Sequence, residues 1–73
     1  MTASASLLFD VDSETGVAVI TLNRPQRLNA FDLAMVTLWR EALARVEKDR
    51  AIRALVVTGA GAAFCAGGNM DEL

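Results

Sequence analysis

The sequence contains no histidine and a single cysteine, Cys65. The chain therefore lacks the side chains that usually hold a transition metal, and we expect no metal centre. One cysteine has no partner for an intramolecular disulfide, which favours a reducing compartment. No apolar run approaches the ~20 residues that a membrane-spanning helix requires, so no membrane association is expected.

Positive charge is also scarce, because seven basic side chains stand against nine acidic ones and the net charge is −2. This balance argues against nucleic acid as the main partner. Residues 1–6 carry no lysine or arginine, and only residues 7–9 form an apolar stretch before Asp10. A secretory signal needs a basic segment and about 7–15 apolar residues. We therefore expect a cytoplasmic protein with a loose tip at residues 1–6.

The chain is short, with 73 residues of which 53% are hydrophobic. This apolar fraction excludes a disordered polymer. A chain of this length buries only about 60% of its unfolded surface, and small domains normally add disulfides or a metal. The composition thus leaves two alternatives, a marginal domain or part of something larger.

Two short apolar runs, residues 7–12 and 17–22, flank a polar segment that ends at Gly16. This pattern predicts an antiparallel β-hairpin. Pro25 ends the second strand because proline has no N–H for the ladder. Both faces of the second run are largely apolar, so we expect that strand to be covered on both sides.

Residues 32–49 have the three- and four-residue apolar spacing of an amphipathic helix. Either Asp32 or Asn29 is a candidate N-cap. Residues 53–58 form a third strand, and the order strand, helix, strand predicts a parallel pair. Residues 69–73 look like the first turn of another helix, which the chain does not complete. The expected fold is therefore an incomplete α/β unit. The apolar stripe of the first helix contains Met35, Leu38, Trp39, Ala42 and Val46.

Two loops leave the carboxyl ends of the paired strands, where open α/β sheets bind ligands: residues 23–31 and residues 59–70. Gly59 and Gly61 match the first half of a dinucleotide fingerprint, but Phe64 occupies the third glycine position. No Gly-Lys-Ser/Thr sequence follows, so a phosphate-binding P-loop is also disfavoured.

Gly67 and Gly68 precede the predicted start of the last helix, where free backbone N–H groups favour negative charge. A backbone N–H there would stabilise an oxyanion on a carbonyl, an effect of about 2.7–4 kcal/mol per donor. The alternative is a tight turn that needs positive φ, and composition alone favours that alternative.

Other polar side chains give weaker signals. Cys65 has apolar neighbours and no histidine to act as its base, so a small buried filler is favoured over a nucleophile. No carboxylates form a convincing buried pair for acid–base chemistry. Arg24 and Arg27 lie in the first loop, where a solvated position and a phosphate contact are equally good interpretations.

At these two loops the sequence closely resembles the N-terminal part of the crotonase superfamily, the enoyl-CoA hydratase/isomerase family. The segments that carry the resemblance are ITLNRPQRLNAF and IRALVVTGAGAAFCAGGNMDEL, in the family's order and spacing from about Val17 to Leu73. The resemblance implies that residues 1–73 are the N-terminal fragment of one domain built as a spiral of ββα turns. It also implies trimers or hexamers and an acyl-CoA thioester substrate, with no cofactor beyond the coenzyme A of that substrate.

By the same resemblance, the N–H of Gly68 is one of two backbone donors that stabilise a thioester enolate. The residues implied to line the acyl-CoA site are Gln26, Arg27, Leu28, Ala30, Ala66, Gly68, Asn69 and Met70. We expect Arg27 to contact a phosphate of coenzyme A.

Two departures limit what the resemblance implies. Asn69 stands where the family usually has aspartate, so a cap is retained and a charge is lost. The second oxyanion donor and the two glutamates of the hydratases would lie beyond Leu73. The 73 residues alone are therefore expected to be inactive, and the reaction is left open among hydratase, isomerase, decarboxylase, dehalogenase and ring-forming synthase. A non-catalytic α/β module is the competing hypothesis.

Overall fold

The computed structural model of the chain describes residues 5–65 and Gly67. Its elements, in chain order, are β1 (Leu7–Asp12), β2 (Val17–Leu22), a 3₁₀ turn (Pro25–Arg27), α1 (Leu33–Lys48) and β3 (Ala54–Gly59). The predicted hairpin, helix and third strand are thus confirmed. The helix predicted at residues 69–73 lies outside the described residues. Among those that are described, no helix combines the length and apolar character needed to cross a bilayer.

The hairpin of β1 and β2 is closed by a turn that the sequence specifies locally. The strands pair antiparallel, from Leu7 opposite Leu22 to Asp12 opposite Val17. The Asp12 side chain accepts a hydrogen bond from the Glu14 N–H at 2.9 Å, an Asx turn. Gly16 has φ +75°, a conformation that glycine adopts without steric cost.

The central strand of the three-stranded sheet is β2, which pairs parallel with β3. The register places Leu22 opposite Gly59. Strand β3 begins and ends one residue later than the predicted strand at residues 53–58. Gly16 also supports this pair, because its carbonyl accepts the Arg53 N–H at 2.7 Å. The carboxyl ends of β2 and β3 therefore lie side by side.

Helix α1 begins at a side-chain cap. The Asp32 carboxylate accepts the N–H of Met35 at 2.8 Å, which satisfies a donor that the helix itself leaves free. Of the two candidate caps, Asp32 is confirmed and Asn29 is wrong, since Asn29 makes other contacts. The helix ends at Lys48, followed by Asp49 in extended conformation.

The core lies between α1 and one face of the sheet. Ile20, Leu22 and Met35 are fully buried there, and Leu7 and Ala42 complete the cluster. Met35 and Ala42 of the predicted stripe are buried in the core and Leu38 and Trp39 pack against it, as the spacing predicts. Val46, the last residue of the stripe, is half-buried.

The prediction that β2 is covered on both sides is wrong for the described residues. Ala18, Ile20 and Leu22 are buried, whereas the alternating residues Val17, Val19 and Thr21 are half-buried. The opposite face of the sheet also exposes Leu8 and Val56, each 47% exposed. Among the residues that the structure describes, the sheet is thus fully packed on one face only.

Candidate functional site

The first loop, residues 23–31, meets the second loop at the carboxyl ends of β2 and β3. Of the second loop, residues 59–65 and Gly67 are described. The two loops start side by side, because the Ala60 N–H donates to the Leu22 carbonyl at 2.9 Å. Open α/β sheets bind ligands at this edge.

Asn29 joins the two loops through its side-chain amide. Its Nδ2 donates to the carbonyls of Ala60 at 2.9 Å and Ala63 at 2.8 Å. Its Oδ1 accepts the main-chain N–H of Arg24 at 2.7 Å. Asn29 itself is fully buried, whereas the three residues that it contacts, Arg24, Ala60 and Ala63, are half-buried. An amide is required, because no other short side chain offers two donors and an acceptor together.

The backbone at Asn29 also departs from ordinary geometry. Leu28 and Asn29 have φ +53° and +57°, in the left-handed region. Asparagine tolerates this region better than most residues, whereas a branched aliphatic such as Leu28 is strained there. The chain thus turns inward at Asn29, which aims the amide at the second loop.

Two glycines allow the loops to approach this closely. A Cβ on Gly59 would lie 2.7 Å from the Ala63 carbonyl oxygen and 2.8 Å from Asn29 Nδ2, and it would also meet the Phe64 carbonyl. A Cβ on Gly61 would lie 2.8 Å from the Pro25 Cβ, and Gly61 has φ +83°. Close approach, rather than nucleotide binding, explains the glycines at positions 59 and 61.

A main-chain bond forms the third link between the loops. The Phe31 N–H donates to the Gly67 carbonyl at 2.8 Å. Gly67 has φ +101°, the positive φ that the tight-turn alternative requires. The Gly67 N–H in turn donates to the Cys65 thiol sulfur at 3.3 Å. Cys65 is half-buried and packs against the core, in agreement with the filler interpretation.

The two arginines of the first loop differ in their surroundings. Arg24 Nη1 donates to the Ala30 carbonyl at 2.6 Å and lies 3.1 Å from Asp32 Oδ2, with its side chain 13% exposed. Neither alternative predicted for Arg24 holds, because its guanidinium is engaged within the protein. Arg27 ends the 3₁₀ turn and is exposed, which leaves it accessible to a ligand.

The structure places the predicted acyl-CoA residues only in part. Gln26, Arg27 and Leu28 are exposed on the outer side of the first loop, and Ala30 is half-buried. Ala66, Gly68, Asn69 and Met70 lie outside the described residues. Within the described ranges, no cluster of three or more His, Cys, Asp or Glu side chains is placed to hold a metal.

Sequence reasoning missed the role of Asn29 and treated it only as a possible helix cap. Its partners are 31 and 34 residues away, so no local pattern marks it. The available signals were its residue type, which tolerates the left-handed region, and its place in a loop at a strand end.

Comparisons with a family model and with known proteins identify the same family. Residues 12–73 match the family described as Enoyl-CoA hydratase/isomerase. The chain is 49% identical over 59 residues to 1,2-epoxyphenylacetyl-CoA isomerase of Escherichia coli K12, covering 81% of this chain and 22% of that protein. It is 46% identical over 67 residues to a protein of Mycobacterium tuberculosis H37Rv named probable enoyl-CoA hydratase EchA14, covering 92% and 25%.

A solved structure extends the likeness to three dimensions. The crystal structure of an enoyl-CoA hydratase from Mycobacterium smegmatis superposes with a TM-score of 0.89 at 43% identity. The superposition covers 96% of this chain and 27% of that one. The chain thus spans about a quarter of the length of the relatives that it matches.

Proposed function

Because the chain belongs to the enoyl-CoA hydratase/isomerase family, we propose that it forms the N-terminal, acyl-CoA-binding part of an enzyme in which backbone N–H groups stabilise a thioester enolate. The observation that carries the proposal is the meeting of the two loops at the carboxyl edge of β2 and β3. The Asn29 amide bonds and the Phe31–Gly67 bond hold the loops together there, and Gly61 gives the room for a close approach to Pro25.

The first loop contributes the outer part of the site. Gln26, Arg27 and Leu28 present exposed side chains and Ala30 lies behind them. These surfaces suit the coenzyme A portion of the substrate, with the Arg27 guanidinium donating to a phosphate. Ala66, Asn69 and Met70 complete the proposed acyl-CoA contacts.

The second loop contributes the catalytic donor. In a hydratase, water adds across the double bond of a 2-enoyl-CoA, and negative charge develops on the thioester oxygen. The Gly68 N–H donates to that oxygen, which lowers the barrier by about 2.7–4 kcal/mol for one donor. The groups that move the proton come from outside these 73 residues, so the choice between hydratase and isomerase is made elsewhere in the enzyme.

The proposal includes the state of the whole enzyme. We expect it to work in the cytoplasm as a trimer or hexamer, with no cofactor other than the coenzyme A of its substrate. Nucleic acid and membranes are not among its proposed partners.

The first test is the reading frame beyond the codon for Leu73. Continuation into a second glycine-rich segment of the Ala-Leu-Gly-Gly-Gly kind supports the enzyme, and a stop codon supports the non-catalytic module. The second test is turnover. The full-length protein should consume a short 2-enoyl-CoA, and the 73-residue chain should not. The reaction is measured as the loss of the ultraviolet absorbance of the conjugated thioester.

The outcomes of the second test separate the hypotheses. Turnover by the 73-residue chain, in a sample free of contaminating hydratase, would show that the acid–base groups lie within it. Absence of both turnover and acyl-CoA binding in the full-length protein would overturn the proposed function.

A further inference from the structure

We propose that Asn29 is a positioning residue for substrate binding: its side-chain amide closes residues 24–29 into one fixed turn and holds that turn against the second loop, so that Arg27 at the tip is presented to the substrate. We call these six residues the closed turn. The inference rests on the proposed function for its ligand, a phosphate of an acyl-CoA. All the contacts that lead to it join residues that the structure describes.

The main chain at the tip of the closed turn is bonded close to the tip itself. The Arg27 N–H donates to the Arg24 carbonyl at 2.9 Å, and the Leu28 N–H donates to the Pro25 carbonyl at 3.1 Å. The Arg27 carbonyl accepts the Ala30 N–H at 3.1 Å. Both main-chain polar groups of Arg27 are therefore engaged, whereas its side chain is exposed. A change in how the turn closes would move the point from which that side chain extends.

Arg24 and Asn29 close the turn through two hydrogen bonds. The Asn29 N–H donates to the Arg24 carbonyl at 2.8 Å, and the Arg24 N–H donates to Asn29 Oδ1 at 2.7 Å. The second of these bonds depends on the side chain of Asn29. Without it, the turn is closed by main-chain bonds alone.

The closed turn also holds Leu28 in a strained conformation. Leu28 has φ +53°, in the left-handed region that a leucine rarely adopts. Its side chain is 50% exposed, so its own packing does not account for this conformation. Strained residues persist where the surrounding contacts fix them, and they cluster at ligand-binding sites. The closure by Arg24 and Asn29 supplies such contacts on both sides of Leu28.

The nitrogen of the same amide attaches the closed turn to the edge of the sheet. Asn29 Nδ2 donates to the carbonyls of Ala60 and Ala63, and the Ala60 N–H donates to the Leu22 carbonyl at the end of β2. Asn29 has no solvent-accessible surface, so water does not replace these partners unless the two loops separate. The amide therefore joins the closed turn, through the second loop, to the sheet.

A turn that is fixed before the substrate arrives binds it more tightly. A flexible turn would lose conformational entropy when a phosphate ordered it, and a fixed turn avoids most of that loss. The phosphates of coenzyme A take no part in the reaction, so a contact from Arg27 is equally strong in the ground state and in the transition state. Such a contact contributes to affinity and not to the chemical step.

Asn29→Gly removes the amide and keeps the backbone conformation, because glycine adopts the φ of +57° at this position without strain. Asn23→Ala is the matched control, since Asn23 lies in the same loop and its Nδ2 donates to the Ala5 carbonyl at 3.0 Å, away from the second loop. Titration calorimetry of the full-length protein with a non-reactive acyl-CoA analogue gives the dissociation constant per folded molecule. Steady-state kinetics with a short 2-enoyl-CoA give kcat and KM.

We expect Asn29→Gly to raise Kd and KM by about tenfold each while kcat stays within about twofold. Asn23→Ala should leave all three constants within about twofold. In the Asn29→Gly background, Arg27→Ala should weaken binding by less than a further twofold or so, because the displaced guanidinium has already lost its phosphate. Two independent contributions would instead multiply to about 100-fold.

Two results with these variants would overturn the inference. One is a multiplicative effect of Asn29→Gly and Arg27→Ala on Kd. The other is a purely structural effect, in which Asn29→Gly lowers the folded fraction but the folded molecules bind as tightly as the wild type. If the wild-type protein does not bind the analogue, the proposed function fails and the inference fails with it. If the wild type binds and Asn29→Gly binds equally well, only the inference fails.

Hydrogen exchange tests the closed turn without any substitution. In the full-length wild-type protein without substrate, the main-chain amide protons of Arg27, Leu28 and Asn29 should exchange together and at least about tenfold more slowly than in an unfolded chain. Exchange of the Arg27 and Leu28 protons at the unfolded rate would show that the turn is not fixed before binding. That result would overturn the inference even if Asn29→Gly does not fold.

Discussion

Arg24 and Asp32 form an ion pair in which Nη1 lies 3.1 Å from Oδ2, and each side chain has a second partner on the backbone. Arg24 also donates to the Ala30 carbonyl, and Asp32 also caps α1 at Met35. The pair therefore connects the first loop to the start of the helix. Both side chains are less than a fifth exposed, so solvent screens the pair less than an ordinary surface ion pair.

Arg24→Ala should lower the free energy of unfolding by about 2 kcal/mol. The substitution removes a charge-assisted bond to a backbone carbonyl and leaves Asp32 without its cation. Chemical denaturation measures the loss. Arg27→Ala is the control, since Arg27 is exposed in the same loop, and its effect should stay within about 0.5 kcal/mol. Equal effects for the two variants would contradict a structural role for Arg24.

Arg27→Ala should instead weaken acyl-CoA binding by the full-length protein by about tenfold at low salt, because one charge-assisted bond to a phosphate is lost. Titration calorimetry with a non-reactive acyl-CoA analogue gives the dissociation constant. Arg50→Ala removes another arginine, beyond the end of α1, and should leave binding unchanged. Unchanged binding by the Arg27 variant would remove this residue from the proposed site.

Gly59→Ala should destabilise the fold by about 1–3 kcal/mol, the usual cost of forcing an extra methyl group into a packed site. The new Cβ would meet the Ala63 and Phe64 carbonyls and the Asn29 amide, and backbone atoms cannot move away cheaply. Thr58→Ala, at the neighbouring exposed position of β3, should change stability by less than about 0.5 kcal/mol. The midpoints of thermal unfolding of the two variants are compared. Similar midpoints would contradict the close approach of Gly59 to Ala63 and Asn29.

The sequence predicts the elements of this fold well because each depends on neighbouring residues. The turn at Gly16 separates two apolar runs, and the spacing from Met35 to Val46 marks one helix face. The parallel pairing follows from the order of elements. The same apolar pattern predicts that both faces of β2 are covered. The pattern indicates that both faces are apolar, but it does not indicate which residues pack on each face.

The sequence predicts where the candidate site lies but not the contacts within it. The edge of the sheet follows from the strand order, and the acyl-CoA residues follow from family resemblance. The bonds of Asn29 to Ala60 and Ala63 join parts of the chain more than 30 residues apart, and the ion pair of Arg24 with Asp32 depends on how the first loop folds back. Such contacts are set by tertiary packing, which local propensity does not encode.

Helix α1 carries an open apolar groove of about 580 Å³ beside the Phe31 and Trp39 rings, which pack edge to face with centroids 5.5 Å apart. Leu43 lines this groove and is 44% exposed. Exposed apolar surface of this kind favours association, so the average mass of the 73-residue chain should rise with concentration in sedimentation equilibrium. The remaining lining residues are Val36, Arg40, Ala44 and Glu47.

Leu43→Glu should weaken that self-association by about tenfold, since burying a charge in the groove opposes the gain from burying leucine, about 1.5–3 kcal/mol for a fully buried side chain. Ala34→Glu adds the same charge at an exposed position of the same helix outside the groove, and it should leave the association constant within about twofold. A wild-type chain that stays monomeric at all concentrations would contradict the prediction. Equal weakening by both variants would attribute the effect to net charge rather than to the groove.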